Sequence, residues 1–217
     1  SDALDVAGQQ VEYKFVVSEP TTLLLDSLTN SSDLYWSLQG SNGTVRYDTR
    51  FDDESGYSEV IKLNSGGVYT LKIRSGSNSA ASFGFRLLNL GAIPVQTLPA
   101  MQSITLNPGN STQVFAFDGA AGNTFSFQAS TVLGGSVRAY IVNPNGDRES
   151  GIYDASLGFS RPLSYTGRYV LVVQGSVANT APVEVSFRAA FAQNREMALA
   201  LESENFSRLD ARSVTDT

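Results

Sequence analysis

The sequence predicts an all-β protein built from two tandem units, each a sandwich or a barrel. Apolar residues recur with a period of two, as at Tyr69, Leu71 and Ile73, which is typical of strands with one buried face. Turn sequences such as SNG at 41–43 and NPNG at 143–146 separate these segments. Short alternating segments with frequent turns between them indicate antiparallel sheets that pack on each other.

The two halves of the chain repeat each other. The stretch GVYTLKIRSG at 67–76 corresponds to GRYVLVVQG at 167–175, and Leu4 corresponds to Leu106. The spacing between such pairs varies only at expected loops, where insertions are tolerated. We therefore expect three segments, which are a β-sandwich repeat at 1–92, a second at 93–192, and the lead-in of a third at 193–217.

The second repeat begins with a lead-in strand, about Ile93 to Leu106, whose equivalent we expect the first repeat to lack. The stretch 196–205 has helical propensity, but it aligns with this lead-in, and its apolar residues alternate. We therefore expect it to be extended. A tail of this kind would be able to complete repeat one of a neighbouring molecule, which predicts head-to-tail pairing.

Composition excludes several kinds of function. The chain carries a net charge of −6, which argues against binding to nucleic acid or to anionic membranes. It contains no cysteine and no histidine, so disulfides, thiolate zinc sites and a Ser-His-Asp triad cannot form. Hydrophobic residues make up 41% of the chain, which suffices for folded cores. No apolar run approaches the length of a transmembrane helix.

An ordered set of segments in repeat two resembles the bacterial pre-peptidase C-terminal domain. They are NPGNSTQVFAFDGAAGNTFSF at 107–127, VRAYIVNPNG at 137–146 and LSYTGRYVLVVQG at 163–175. Repeat one is similar to a more diverged copy, with VAGQQVEYKF at 6–15 and LNSGGVYTLKIRSG at 63–76. The resemblance implies two jelly-roll-like antiparallel β-sandwich domains. It also implies extracellular or cell-surface localisation in a bacterium, because this family occurs beside secreted peptidases and in tandem arrays such as adhesins.

The same resemblance implies a role without catalysis. We expect structural, spacer or display modules of a larger secreted or cell-surface protein, with neighbouring repeats as partners. The alternative is a carbohydrate- or protein-binding accessory module of a secreted hydrolase or peptidase. Neither reading involves nucleic acid or membrane insertion.

The candidate metal site is an acidic cluster in an expected loop of repeat one. It consists of Asp48, Asp52, Asp53 and Glu54. Oxygen ligands on a flexible loop suit calcium, and some members of the family bind calcium. The spacing differs from that of an EF-hand, and a solvated acidic loop is the alternative. We therefore expect either calcium or no cofactor.

Three aromatic residues are expected to belong to the cores. Trp36 alternates with apolar neighbours, so its ring is expected inside rather than stacked on a sugar. Tyr69 and Tyr169 begin equivalent strands, and we expect each to bury its ring and to donate its hydroxyl to a backbone carbonyl.

A group of arginines and tyrosines in repeat two is a candidate binding face, because both residue types are enriched at interfaces. No feature of the sequence shows that they converge, so a solvated face is the default expectation. The group consists of Arg138, Tyr140, Arg148, Tyr153 and Arg161.

Overall fold

A computed structural model describes residues 2–4, 9–53, 60–77 and 80–192. In these ranges every regular element is a β-strand, apart from two single-turn 3-10 helices at Leu90–Ala92 and Ala155–Leu157. The all-β prediction is confirmed. The segment 193–217, including the tail expected to be extended, lies outside the described residues.

Repeat one forms two antiparallel sheets that face each other. Its described strands are β1 (Asp2–Leu4), β2 (Gln10–Val17), β3 (Thr21–Ser27), β4 (Leu34–Gly40), β5 (Gly43–Arg50), β6 (Val60–Leu63), β7 (Gly67–Ser75), β8 (Ala81–Phe83) and β9 (Phe85–Asn89). The front sheet has the order β2-β7-β4-β5, and the back sheet has the order β6-β3-β9. Strand β1 pairs with β8.

Repeat two follows the same plan. Its strands are β10 (Ala100–Leu106), β11 (Thr112–Gly119), β12 (Thr124–Leu133), β13 (Val137–Val142), β14 (Tyr153–Asp154), β15 (Phe159–Pro162), β16 (Gly167–Gly175) and β17 (Val183–Phe191). The front sheet has the order β11-β16-β13-β14, and the back sheet has the order β10-β17-β12-β15. The front-sheet orders of the two repeats match strand for strand, so the internal repeat is structural.

Each repeat encloses its own core between its two sheets. In repeat one, Trp36 on β4 and Leu71 on β7 pack against Leu25 on β3, and Trp36 is only 2% exposed. The expectation that Trp36 belongs to the core is confirmed. In repeat two, Phe127 and Leu171 belong to the equivalent cluster. Alternation along the strands therefore divides most residues between an inner and an outer face.

The paired tyrosines make equivalent hydrogen bonds. The hydroxyl of Tyr69 donates to the backbone carbonyl of Ser65 at 2.8 Å, and that of Tyr169 donates to Tyr165 at 2.9 Å. Both rings are buried. Each residue thus ties a central strand to the turn before it, as expected from the sequence.

The lead-in segment of repeat two joins both of its sheets. The backbone N–H of Gln96 donates to Ala116 on β11 at 2.8 Å, and β10 then pairs with β17. In repeat one, β1 takes the place of the last residues of β10, since Leu4 lies opposite Ala81 just as Leu106 lies opposite Val183. The expectation that repeat one lacks any lead-in strand is therefore wrong for these last positions.

Candidate functional site

An apolar contact joins the two repeats. The front sheet of repeat two packs on the outer side of the back sheet of repeat one, with the 3-10 helix at Leu90–Ala92 at the same contact. Seven apolar side chains in this contact are at most 5% exposed, namely Leu24, Leu90, Ala116, Tyr140, Val142, Val170 and Val172. Burial of this apolar area stabilises the packed pair.

The local sequence explains why the front sheet of repeat two has two buried sides. On β16 the run YVLVV at 169–173 is apolar on both faces, and on β13 the run AYIV at 139–142 is too. Such runs are typical of strands covered on both faces. On β7 of repeat one, Lys72 and Arg74 alternate with the core residues. The polar outer face of GVYTLKIRSG is therefore not repeated in GRYVLVVQG, because one face of β16 packs on the core and the other packs on repeat one.

A buried ion pair lies within this contact. The carboxylate of Asp26 is fully buried and accepts hydrogen bonds from the Arg86 guanidinium, one of them from Nε at 2.8 Å. It also accepts the Thr112 hydroxyl at 2.7 Å and the Thr112 backbone N–H at 3.2 Å. Arg86 Nη2 in turn donates to the Thr112 carbonyl at 2.6 Å. A charge buried this deeply requires such partners, so the network depends on correct seating of repeat two.

The turn at 143–147 provides a second polar contact between the repeats. Gly146 adopts φ +76°, and a Cβ there would lie 2.4 Å from the Thr22 hydroxyl of repeat one. Next to it, Lys62 Nζ lies 2.9 Å from Asp147 Oδ1. Asn143 Oδ1 accepts the Asp147 backbone N–H at 3.0 Å, which fixes the turn. Glycine is thus required both for the turn and for the close approach.

Glu149 supports this turn from within repeat two. Its carboxylate accepts the Ser164 backbone N–H at 2.7 Å and the Asn143 side-chain amide at 3.0 Å. Partial burial by itself raises the pKa of Glu149, but these hydrogen bonds outweigh burial and hold the pKa below its usual value. Glu149 is therefore charged when the turn is in place.

A cleft of about 300 Å³ lies at the edge of the contact. Its charged lining residues are Arg46, Lys62, Asp147 and Arg148. Arg46 donates to the Val60 carbonyl at 3.2 Å, and Lys62 is held by Asp147. These groups position the two repeats, and the lining contains no nucleophile beside a general base.

The acidic cluster predicted to hold calcium is engaged by arginines. Asp48 lies on β5 at φ +50° and accepts Arg74 Nε at 2.8 Å and Nη2 at 2.5 Å. Asp52 accepts Arg50 Nε at 2.9 Å and Nη2 at 2.7 Å. Hydrogen bonding to these carboxylates raises the pKa of each arginine. A cation at Asp48 or Asp52 would have to displace a guanidinium.

The rest of the acidic cluster does not complete a ligand set in the described part of the chain. The backbone N–H of Asp53 donates to Arg50 at 3.4 Å, and Glu54 lies outside the described residues. Within 2–4, 9–53, 60–77 and 80–192, no three acidic side chains are grouped as metal ligands. Calcium binding at these four residues stays a prediction.

The arginines and tyrosines of repeat two do not form one face. Tyr140 is fully buried in the contact between the repeats, and Arg148 lies in the adjoining cleft. Arg138 donates to Gln174 at 3.3 Å, and Arg161 donates to the Tyr153 hydroxyl at 2.8 Å. The expectation of a solvated face is therefore wrong for Tyr140, whose outward-pointing ring is covered by repeat one.

Among the described residues no helix is long and apolar enough to cross a membrane.

No family model matches the sequence, and no curated protein matches it. Several solved structures show weak likeness, and the following two are examples. The periplasmic inhibitor of g-type lysozyme PliG from Aeromonas hydrophila has a TM-score of 0.37 at 18% identity, covering 46% of this chain and 94% of that one. The CUB1-EGF-CUB2 domain of human MASP-1/3 has a TM-score of 0.27 at 11% identity, covering 85% of this chain and 94% of that one. Neither likeness assigns a function to this chain.

Proposed function

We propose that the chain is a rigid pair of non-catalytic β-sandwich modules, similar to pre-peptidase C-terminal domains. The pair serves as a spacer or display unit of a larger secreted or cell-surface bacterial protein. The observation that carries this proposal is the contact between the repeats, where an apolar cluster surrounds the buried Asp26 carboxylate. Large apolar contacts between domains suppress their relative motion.

The outer side of the front sheet of repeat one supports a unit of two modules rather than a continuous stack of modules. The registers place Tyr13 opposite Leu71 and Phe115 opposite Leu171, which fixes the equivalent positions. Apolar contact residues of repeat two then correspond to polar ones in repeat one. Val114, Ala116, Val170 and Val172 are matched by Glu12, Lys14, Thr70 and Lys72. A preceding module would meet these polar side chains in place of the apolar contact residues of repeat two.

The outer side of the back sheet of repeat two carries smaller and more polar residues at two equivalent positions. Leu24 and Val60 of repeat one face the contact, and their equivalents in repeat two are Ser126 and Ser160. The same apolar contact would therefore not form with a following module. A longer protein would alternate rigid pairs with looser joints, which suits a spacer or display role.

The side-chain chemistry supports a role without catalysis. Since the chain has no His and no Cys, acid–base chemistry would fall to carboxylates, Lys or Tyr, and a nucleophile would have to be Ser, Thr, Lys, Tyr or a carboxylate. In the described residues, Asp26, Asp48 and Asp52 each hold an arginine, and Glu149 holds a turn. These carboxylates perform structural tasks.

A second candidate function is that of a carbohydrate- or protein-binding accessory module. Two tyrosines at the front sheet of repeat one favour it. Tyr47 on β5 is 78% exposed, and Tyr35 on β4 lies under the Arg74 guanidinium at 4.4 Å from its ring centroid. Exposed aromatic faces and arginine are suited to ligand contact.

Single-molecule energy transfer tests the rigid pair directly, because a chain without cysteine accepts labels at chosen sites. Gln39→Cys on repeat one and Ser160→Cys on repeat two place dyes on exposed positions. We expect one narrow distance distribution that 1 M salt does not broaden. The variant Val172→Asp, which places a charge in the apolar contact, serves as the flexible reference and should broaden it. A broad distribution in the unmodified pair would refute the rigid unit.

A glycan array distinguishes the second candidate. Binding that Tyr47→Ala removes would favour an accessory module, whereas the spacer proposal expects no binding.

A further inference from the structure

The edge of the back sheet differs between the two repeats. In repeat two, β17 is an inner strand, with β12 on one side and β10 on the other. In repeat one, β9 is the last strand of its sheet and pairs only with β3 among the described residues. Within the described part of the chain, the pairing of β1 ends with Asp2 opposite Phe83. As far as the described ranges show, the outer edge of β9 therefore offers backbone groups to an incoming strand.

The core side chains beneath this edge are more exposed in repeat one than in repeat two. In repeat two the equivalent side chains are almost completely buried, with exposures of 2% for Phe117, 2% for Phe187 and 4% for Ala189. Their counterparts in repeat one, Phe15, Phe85 and Leu87, are only partly buried. The difference leaves the apolar side chains of Tyr13, Phe15, Phe85 and Leu87 only partly covered between β2 and β9, and we call this surface the β2–β9 groove.

The lead-in of repeat two shows what covers such a groove. Leu98 packs against the core of repeat two, and Gln96 bonds to the backbone of β11. The following residues pair with β17, with Ala100 opposite Ala189 and Gln102 opposite Phe187. One extended segment thus closes the space between the two sheet edges.

The receptor geometry is already formed in repeat one. Tyr13 and Phe85 meet edge to face with ring centroids 5.3 Å apart and an interplanar angle of 72°. Their equivalents Phe115 and Phe187 meet at 5.4 Å and 72° beneath the lead-in. Because the aromatic pair has the same geometry in both repeats, binding would require little rearrangement.

We propose that the β2–β9 groove binds residues 197–205 of a second copy of this chain, added to β9 as an antiparallel strand. The tail matches the lead-in at a distance of 103 residues, which sets Leu209 at the position of Leu106 and Leu201 at that of Leu98. In this register Leu201 enters the groove, and Ser203 and Asn205 lie opposite Leu87 and Phe85.

This mode is β-strand addition, in which backbone hydrogen bonds supply affinity and a side-chain pocket supplies specificity. Strand β1 keeps its place, because the incoming strand ends before Phe83. The groove and the tail are different surfaces, so the contact is head to tail and propagates into chains of molecules. The proposal does not depend on the rigidity of the pair.

Light scattering of the full chain across concentration tests this association. We expect the average mass to rise at least twofold with concentration and hydrogen exchange in β9 to slow in parallel. Leu201→Asp should remove both effects, because it places a charge in the apolar groove. Ala200→Asp adds the same charge at the position of the exposed Thr97, so it should associate like the unmodified chain. Equal melting temperatures of the two variants verify their folding.

A peptide covering residues 195–206 provides a second measurement. Added to the Leu201→Asp chain, whose groove is free, it should bind saturably and protect β9, whereas the same peptide carrying Asp in place of Leu201 should not. A monomeric mass at all concentrations would overturn the proposal, even with slow exchange in β9, because that combination indicates the chain's own tail in the groove. Association unaffected by Leu201→Asp would overturn it as well.

Discussion

Asp26 of the first repeat accepts two hydrogen bonds from Thr112 of the second, from the hydroxyl at 2.7 Å and from the backbone N–H at 3.2 Å. Thr112 begins the first strand of the front sheet of repeat two, and Asp26 lies on the central strand of the back sheet of repeat one. The pair therefore fixes where β11 lies on β3. The surrounding apolar cluster supplies contact area, and this polar pair supplies the register.

Asp26→Ala is expected to destabilise the protein by about 3 kcal/mol, because it removes one partner of a buried ion pair. Arg86 and Thr112 then lose their acceptor within the contact. Chemical denaturation measured by circular dichroism gives the free energy of unfolding. Asp33→Ala, at an exposed position of the same repeat, is the control and should change it by less than about 0.5 kcal/mol. Equal effects of the two variants would contradict the role of Asp26.

Leu24→Ala is expected to cost about 3 kcal/mol, because it leaves a cavity between the two sheets that meet at the contact. Unlike a change within one core, it weakens the coupling between the repeats, so thermal unfolding should broaden or split into two steps in calorimetry. Leu157→Ala provides the matched control, since Leu157 is 79% exposed. A single sharp transition in Leu24→Ala at the original temperature would show that the contact contributes little.

The paired tyrosines allow the same substitution to be compared in both repeats. Tyr69→Phe and Tyr169→Phe each keep the ring and remove a hydroxyl that donates to a backbone carbonyl, so each should cost about 1 kcal/mol. Tyr169→Phe should cost more, because the Tyr169 hydroxyl also accepts the Tyr165 backbone N–H at 3.0 Å. Urea denaturation of both variants checks the order, and a larger loss for Tyr69→Phe would contradict it.

Calcium is expected to raise the melting temperature only slightly, because Arg74 and Arg50 already neutralise Asp48 and Asp52. Differential scanning fluorimetry with millimolar calcium and then with excess chelator measures the shift. Asp52→Asn should abolish any rise. A large rise that the chelator reverses and Asp52→Asn removes would establish the acidic cluster as a strong calcium site.

The strand pattern and the turns could be predicted because they depend on neighbours in sequence. Tyr69 and Tyr169 illustrate this, since alternation and a preceding glycine suffice to place the ring inside and the hydroxyl at the turn. The contact between the repeats was missed, although β13 and β16 carried a signal in their unbroken apolar runs. The sequence could not identify Asp26 as a buried residue of this contact. An acidic residue in a strand is expected to be exposed until the residues that bury it are known.

Glu149→Gln tests the depressed pKa of Glu149. Because the folded-state pKa lies below the usual 4.5, the carboxylate contributes stability that is fully present above pH 4.5 and is lost as the pH falls through the folded-state pKa. At pH 7 the variant should be less stable by about 1 kcal/mol, since an amide accepts the Ser164 N–H less strongly than a carboxylate. As the pH falls through the folded-state pKa, the two proteins should converge. Glu184→Gln, at an exposed position of β17, is the control and should follow the unmodified protein over the same pH range. A Glu149→Gln difference that stays constant from pH 7 to pH 3 would contradict the assignment, because only a loss that disappears with protonation reports the charged form of Glu149.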